Sequence, residues 1–204
     1  MAHILILGGG AAGLAAALAA AQTDPTARVT VLERSPRPGK KLLATGNGRC
    51  NLDNEGITPE SYSSADRAAL DALLREREIG LVVLAGFMTV LPDSFCRHFE
   101  NRIINVHPSL IPSFCGEGFY GLRVHEAALA KGVKVTGATV HFVSEVVDGG
   151  AIIAQKAVEV EDGDTPETLQ KRVMQNAEWI LLPQAVSDFC AGRLRVDGAI
   201  VHKN

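Results

Sequence analysis

The sequence has 204 residues, of which 47% are hydrophobic and 21% are charged, and its formal net charge is −3. This composition is typical of a soluble globular protein with a sizeable core, and the lack of a long Lys/Arg run argues against nonspecific binding of nucleic acid. The four cysteines, at Cys50, Cys96, Cys115 and Cys190, include no CxxC pair. We therefore expect reduced thiols in a cytoplasmic protein, and no metal site.

The start of the chain predicts a strand, a glycine turn, a helix and a second strand. The sequence HILIL precedes Gly8, Gly9 and Gly10, an Ala-rich stretch follows them, and RVTVLE ends at Glu33. Residues 4–21 are apolar, but no Lys or Arg precedes them, and their glycines favour a turn over a membrane span. We expect neither a targeting segment nor association with a membrane.

The rest of the chain predicts an α/β fold. Residues 35–60 are rich in Pro and Gly and predict mostly loop, and a helix is predicted from about residue 65 to 78. Strands are then predicted in IGLVVLAGF, RIINVH, VKVTGATVHFV and AIIAQKAVEV, with helices over residues 121–131 and from Thr165 to about residue 189, and a hairpin at Asp197-Gly198. Strands alternating with helices predict a doubly wound, mostly parallel, Rossmann-like sheet, which binds ligands at the carboxyl ends of its strands.

Polar side chains with catalytic potential cluster at one such strand end. Asn105 and His107 are two residues apart, so both can lie on the same side of the strand, and Pro108 then ends it. Asp148 precedes Gly149-Gly150, where the backbone can approach a ligand closely. An amide donor, an imidazole and a carboxylate at this edge could stabilise an oxyanion and move a proton, although a strand-end histidine is more often structural.

Longer strings in the same region carry a resemblance to a known family. LAGFM, NVHPSLIPSF, VTGATVHFVSEVVDGGAIIAQ and GDTPETLQKRV closely resemble glycinamide ribonucleotide formyltransferases in order and spacing, over residues 61–204. Methionyl-tRNA formyltransferases share the Asn-x-His-Pro-Ser-Leu core, but VHFV and GDTPETL favour the purine enzymes. The resemblance implies a fold of the formyltransferase type and transfer of a formyl group from 10-formyltetrahydrofolate to the amine of glycinamide ribonucleotide.

The resemblance also implies roles for individual residues. His107, as an imidazolium, and Asn105 stabilise the oxyanion, and Asp148 keeps His107 protonated and relays the amine's proton. Glu178 holds the glycinamide side of the substrate, and His141 is either a supporting group or a buried structural histidine. The residues implied to line the pterin pocket are Phe87, Met88, Val90, Leu91 and Val143.

Several positions depart from the family pattern. Gly121-Leu122-Arg123 stands where Gly-Leu-His is usual, the stretch from Cys115 to Tyr120 is longer than usual, and Ala151 replaces a common Pro. One residue is inserted before Glu178, which puts the partner of Glu178 on that helix in doubt.

The amino-terminal part carries a different signal. Gly8-x-Gly10-x-x-Gly13 follows a predicted strand and Glu33 ends the next one, as in dinucleotide-binding folds, where the acid binds ribose hydroxyls. Residues 3–54 resemble the start of bacterial FAD-dependent, aminoacetone-oxidase-like flavoproteins. The chain therefore resembles a chimera of residues 1–60 and 61–204, folded as one domain.

The two resemblances leave three hypotheses open. In the first, the backbone N–H groups of Gly9, Gly10, Ala11 and Ala12 bind the ribonucleotide phosphate, and the protein is an active formyltransferase on small-molecule substrates. In the second it is a folate-binding remnant without turnover, and in the third an FAD- or NAD-dependent oxidoreductase fragment. We do not expect bound FAD, because residues 3–54 are too few to enclose an isoalloxazine. The expected state is a monomer or homodimer.

Overall fold

The computed structural model describes residues 2–33, 78–87 and 90–204, and these contain one eight-stranded sheet flanked by helices. The strands are β1 (His3–Leu7), β2 (Arg28–Leu32), β3 (Leu81–Leu84), β4 (Ile103–His107), β5 (Val135–Phe142), β6 (Ile152–Glu159), β7 (Leu194–Asp197) and β8 (Ile200–Lys203). The helices are α1 (Ala11–Thr23), α2 (Asp93–His98), α3 (Leu122–Lys131), α4 (Pro166–Val173) and α5 (Trp179–Cys190). A π-helical turn (Met174–Glu178) joins α4 to α5. The predicted α/β fold class is confirmed.

The strand order is β2-β1-β3-β4-β5-β6-β8-β7. The β2–β1, β1–β3 and β3–β4 pairs are parallel, as expected for strands connected by crossovers, and β6–β8 is also parallel. The β4–β5, β5–β6 and β7–β8 pairs are antiparallel. The sheet therefore has more antiparallel strand pairs than the sequence predicts, because no helix lies between β5 and β6 to return the chain in the same direction.

Alternating side chains of β1 supply both layers of the core. Ile4 and Ile6 pack with α1 and α5 on one face of the sheet, while Leu5 and Leu7 pack with α2 on the other. All four residues of β3 are buried, since this strand is covered on both faces. The core thus fixes β3 and β4 in the centre of the sheet, with their carboxyl ends at one edge.

The helix predicted from Thr165 is present but interrupted. Thr165 caps α4 by accepting a hydrogen bond from the Thr168 N–H, and Pro166 occupies the first turn. The π turn then precedes α5, and a π turn accommodates one extra residue within a helix. The insertion expected before Glu178 would fall in this turn.

Other predicted elements differ in outcome. The Asp197-Gly198 hairpin is confirmed, with Gly198 at a φ of 58° between β7 and β8. The short α2 was not predicted, although Pro92 and Asp93 are typical of a helix start. The loop predicted over residues 35–60 and nearly all of the helix predicted from about 65 lie outside the described residues. None of the described helices has the length and apolar character of a membrane span.

Candidate active site

Asn105 and His107 lie at the carboxyl end of β4, on the face opposite to Val106. Each pairs across the sheet with a polar residue of β5: Asn105 with His141, and His107 with Thr139. Asp148 follows β5 in the loop to β6 and reaches back to this edge. The structure therefore brings the three predicted catalytic residues together, with His141 among them.

His107 is held between two hydrogen-bond acceptors. Its Nε2 lies 2.8 Å from the Phe114 carbonyl oxygen, and its Nδ1 lies 3.4 Å from Asp148 Oδ2. A carbonyl oxygen can only accept, so Nε2 carries a proton, and Nδ1 faces the carboxylate. Burial lowers the pKa of His107, while Asp148 and the Phe114 carbonyl act to raise it. Burial is the stronger effect, so the histidine is neutral in the free site at pH 7.

Asp148 is a buried but ionised carboxylate. Burial acts to raise its pKa, but hydrogen bonds from His141 and the Gly116 N–H, with the two nearby imidazoles, bring the pKa below its ordinary value. Gly116 N–H donates to Oδ2 at 2.9 Å, and His141 Nε2 lies 3.5 Å from Oδ1. Asp148 has a φ of 55°, a left-handed conformation that costs energy for a residue with a side chain. The loop therefore holds this carboxylate in a strained position between two histidines.

His141 links the carboxylate to Asn105. Its Nδ1 donates to the Phe142 carbonyl at 2.8 Å, and its Nε2 faces both Asp148 Oδ1, at 3.5 Å, and the Asn105 amide nitrogen, at 3.4 Å. His141 is 1% exposed, so its orientation is determined by these contacts. The contacts favour a supporting role over the structural alternative.

The glycines after Asp148 serve packing within the loop. A Cβ on Gly150 would lie 1.8 Å from the Phe142 carbonyl oxygen, and one on Gly149 would lie 2.7 Å from the Val146 side chain. The glycines therefore let the loop pack against the end of β5. Both also line the cleft beside Asp148, so close approach of a ligand there stays a prediction.

A polar network that the sequence did not reveal fixes the loop carrying Phe114 and Gly116. Thr139 Oγ1 donates to the Ser109 carbonyl at 2.7 Å and accepts from the Ile111 N–H at 3.1 Å. Gln155 Nε2 donates to Thr139 Oγ1 at 2.9 Å and to the Ile111 carbonyl at 3.0 Å. These bonds anchor the loop to β5 and β6, and so position the acceptor opposite His107. The available signal was that Thr139 and Gln155 occupy paired positions on adjacent predicted strands.

His125, on α3, was also not singled out from the sequence. It is completely buried, and neither ring nitrogen has a hydrogen-bond partner within the described part of the chain. Burial, with a smaller effect of His107, lowers its pKa to about 4. His125 is therefore a neutral group packed behind the site. The unusual Arg123 instead stacks its guanidinium over the Tyr120 ring, 4.9 Å from the centroid.

A cleft of about 860 Å³ opens beside Asp148, and Val143 is among its lining residues. Phe87 and Leu91 pack, as Val143 does, against the buried cluster around Phe95. Val90 is 64% exposed. Met88 lies outside the described residues. Of the side chains predicted to line the pterin pocket, Val143 therefore lies at the cleft and Val90 is exposed to solvent.

The glycine turn ends β1 and begins α1. Gly8 N–H donates to the Leu32 carbonyl at 2.9 Å, and Gly9 N–H donates to Glu33 Oε2 at 2.7 Å. A Cβ on Gly13 would lie 1.9 Å from the Gly8 carbonyl oxygen, so the helix can pack on the turn only with glycine there. Gly10 is the N-cap residue and provides no side-chain cap. Ala11 and Ala12 form the first helical residues. Glu33 is therefore bound to the turn, which the comparison with ribose-binding acids of dinucleotide-binding folds did not predict.

Glu178 ends the π turn and is partly buried, and burial raises its pKa to about 7. Within the described residues it makes no hydrogen bond or ion pair with Asn105, His107 or Asp148. The neighbouring Ala177 packs against Ala138, which points away from the face of β5 that carries His141. The role of Glu178 at the glycinamide side of the substrate therefore stays a prediction.

A family model and several curated proteins match the chain. The family model described as formyl transferase matches residues 2–186. The chain is 42% identical to the chloroplastic phosphoribosylglycinamide formyltransferase of Arabidopsis thaliana over 177 residues, which cover 80% of the chain and 60% of that relative. It is 43% identical to the phosphoribosylglycinamide formyltransferase of Bacillus subtilis (strain 168), over 60% of the chain and 62% of that relative. The chain therefore spans only part of the curated relatives that it matches.

Solved structures agree with the fold. Glycinamide ribonucleotide transformylase 1 from Symbiobacterium toebii superposes with a TM-score of 0.76 at 37% identity, covering 100% of the chain and 94% of that protein. A formyltetrahydrofolate deformylase from Pseudomonas syringae superposes with a TM-score of 0.74 at 25% identity, covering 98% of the chain and 65% of that protein. The first of these similarities covers nearly the whole of both chains.

Proposed function

Because the chain belongs to the formyl transferase family, we propose that it transfers the formyl group of 10-formyltetrahydrofolate to the amine of glycinamide ribonucleotide, in purine biosynthesis. The observation that carries the proposal is the cluster of Asn105, His107 and Asp148 at the carboxyl end of β4. Its chemistry suits a reaction in which an oxygen gains charge while an amine loses a proton.

The proposed reaction begins when the amine attacks the formyl carbon. The formyl oxygen replaces the Phe114 carbonyl as the acceptor of the His107 Nε2–H, and the Asn105 amide is the second donor. Burial keeps His107 neutral in the free site, but the oxyanion beside the ring favours the imidazolium, so His107 takes up a proton from water at Nδ1 as the oxyanion forms and returns it to water when the oxyanion collapses. Asp148 stabilises that cation from the Nδ1 side.

Asp148 is also the proposed route for the proton. It is ionised in the free site, so it can receive, through water, the proton that the attacking amine loses. The proton then passes to N10 of the folate as its bond to the formyl carbon breaks, which leaves tetrahydrofolate and the formylated amine.

The two substrates approach from different sides in this proposal. The pterin lies against Phe87, Met88, Val90, Leu91 and Val143. The ribonucleotide phosphate lies at the backbone of Gly9 to Ala12, and Glu178 contacts the glycinamide side. Leu7 pairs with Leu84 and Leu84 with Asn105, so the glycine turn and the catalytic residues are two strand spacings apart, roughly 10 Å. A ribose with its glycinamide substituent can span such a distance.

The proposal includes the origin and setting of the chain. We propose that residues 1–60 and 61–204 pack as one domain in a cytoplasmic protein. A flavoprotein origin of residues 3–54 rests on the resemblance of this segment alone, and the formyl transferase family model also matches these residues. Purified protein that releases flavin on denaturation would favour the oxidoreductase hypothesis instead.

The first experiment is a spectrophotometric assay with glycinamide ribonucleotide and a 10-formyl folate, comparing the natural chain with His107→Ala and His202→Ala. His202 lies in β8 at the surface and serves as the control. Turnover that is lost only in His107→Ala supports the proposal, and equal turnover in all three contradicts the mechanism. Folate binding by calorimetry without turnover favours the folate-binding remnant.

A further inference from the structure

Both side chains that handle charge in the proposed reaction are bound to the backbone of one loop. The Phe114 carbonyl accepts the His107 Nε2–H at 2.8 Å, and the Gly116 N–H donates to Asp148 Oδ2 at 2.9 Å. The two loop groups are only two residues apart, so the segment 114–116 bridges the histidine and the carboxylate. The donor for the oxyanion and the acceptor for the amine's proton are therefore both engaged before a substrate arrives.

The segment 114–116 has an unusual backbone conformation. Phe114 has a φ of 49° and Gly116 a φ of 88°, both in the left-handed region, which glycine adopts readily but which costs energy for Phe114. A Cβ on Gly116 would have no atom of the described residues within 4 Å, apart from its chain neighbours. The bonds to His107 and Asp148 therefore offset the strain at Phe114, and tight packing at Gly116 does not.

The base of the loop is tied to the sheet on the other side of this segment. The Ile111 N–H donates to Thr139 Oγ1 at 3.1 Å, and the Ile111 carbonyl accepts from Gln155 Nε2 at 3.0 Å. Cys115, which lies between the two bonded groups, lines the cleft beside Asp148. A molecule that enters the cleft therefore meets the segment 114–116, and this segment can move while the base of the loop stays in place.

We propose that residues 114–116 form a latch that closes the free site, and that the formyl donor opens it by placing its formyl oxygen where the Phe114 carbonyl lies. One N–H cannot donate fully to two oxygens at the same place, so the carbonyl leaves His107 as the formyl oxygen binds. Because the segment is short, this movement also withdraws the Gly116 N–H from Asp148. The carboxylate thus becomes free to accept the amine's proton only when the formyl donor is bound.

This inference rests on the proposed function, and its test weakens the closed latch without changing a catalytic side chain. Gly116→Ala places a Cβ at a φ of 88° and should disfavour the closed latch by about tenfold. The control is Gly163→Ala, which has a φ of 85°, equally open surroundings and a place in the turn before α4. The Kd of 10-formylfolate, measured by calorimetry, should fall about tenfold in Gly116→Ala and stay unchanged in Gly163→Ala.

Amide hydrogen exchange at Gly116, followed by NMR in the natural chain, is the second measurement. Saturation with 10-formylfolate should make this exchange faster, because the N–H loses Asp148 as its acceptor. This measurement decides the question if Gly116→Ala does not fold.

Three outcomes overturn the inference. An equal or higher Kd in a folded Gly116→Ala, or exchange at Gly116 that slows when 10-formylfolate binds, refutes the latch and leaves the proposed function intact. If none of the three proteins binds 10-formylfolate, the proposed function fails and the inference fails with it.

Discussion

Asp148→Asn isolates the charge at the centre of the candidate site. Asparagine retains an oxygen for the Gly116 N–H, which donates at 2.9 Å, so the main change is the loss of the negative charge 3.4 Å from His107 Nδ1. At an effective dielectric constant of about 20, an imidazolium and a carboxylate at that distance attract by roughly 5 kcal/mol before desolvation. A net loss of about 3 kcal/mol in the transition state corresponds to about a hundredfold lower kcat.

The assay is steady-state formyl transfer at pH 7.5, with kcat and both KM values measured separately. We expect kcat to fall about a hundredfold while the KM of the folate changes less than about threefold, because the carboxylate acts on the histidine. The control is Asp162→Asn, whose side chain is fully exposed. A kcat within about threefold of the natural value, in a protein with the same unfolding midpoint, would refute the role assigned to Asp148.

The Asp148→Asn variant should also change how the free energy of unfolding depends on pH. The pKa of Asp148 is lowered in the folded protein, so its charge stabilises the fold above its ordinary pKa of 3.8, and that contribution is lost as pH falls through the lower folded value. The free energy of unfolding of Asp148→Asn should therefore depend less on pH below about 4 than that of the natural chain. Urea unfolding at a series of acidic pH values measures this difference.

Three further variants test the packing around the site. Thr139→Val removes the hydroxyl that joins the Ser109 loop to β5 and should lower the free energy of unfolding in urea by about 1–3 kcal/mol. Its control, Thr136→Val, removes a hydroxyl that has no described partner and should lower the free energy of unfolding far less. Gly150→Ala places a Cβ 1.8 Å from the Phe142 carbonyl and should lower the thermal midpoint strongly, whereas Gly80→Ala, with 3.5 Å to the nearest atom, should be tolerated. The folded pKa of Glu178 is about 7, so its ionisation destabilises the fold as pH rises from about 4.5 to 7. Glu178→Gln should remove roughly 1–2 kcal/mol of that loss, after a discount for partial exposure, while Glu126→Gln should not. Equal values within any of the three matched pairs, measured by urea unfolding for the threonine and glutamate pairs and by the thermal midpoint for the glycine pair, would contradict the corresponding argument.

The parts of the site that could be predicted from spacing are formed by residues close together in the sequence. Asn105 and His107 alternate on one strand end, and that spacing alone places both side chains on one face of the sheet. Thr165, Pro166 and the Asp197-Gly198 pair likewise predicted a helix start and a hairpin from local backbone preferences. The mixed sheet was less predictable, because a strand pattern does not specify the direction in which its neighbour runs.

Contacts between distant segments could not be predicted in this way. The bond from Gly9 to Glu33 and the network from Thr139 to Ser109 and Ile111 join residues that are 24 to 30 positions apart. The local sequence pattern does not predict such pairs, since many polar side chains could form hydrogen bonds with the same groups.

The sequence by itself determined the fold class, since hydrophobic periodicity decides which faces are buried, and local spacing placed Asn105 and His107 at one edge of the sheet. The chemical roles of these residues were implied by the resemblance to formyltransferases and not by the spacing. Only the tertiary structure decided the electrostatic state of that site. His107 is neutral because burial outweighs its two acceptors, and Asp148 stays ionised because its hydrogen bonds outweigh its burial. Each outcome is a small difference between opposing energies, and those energies depend on distances that only the folded chain sets.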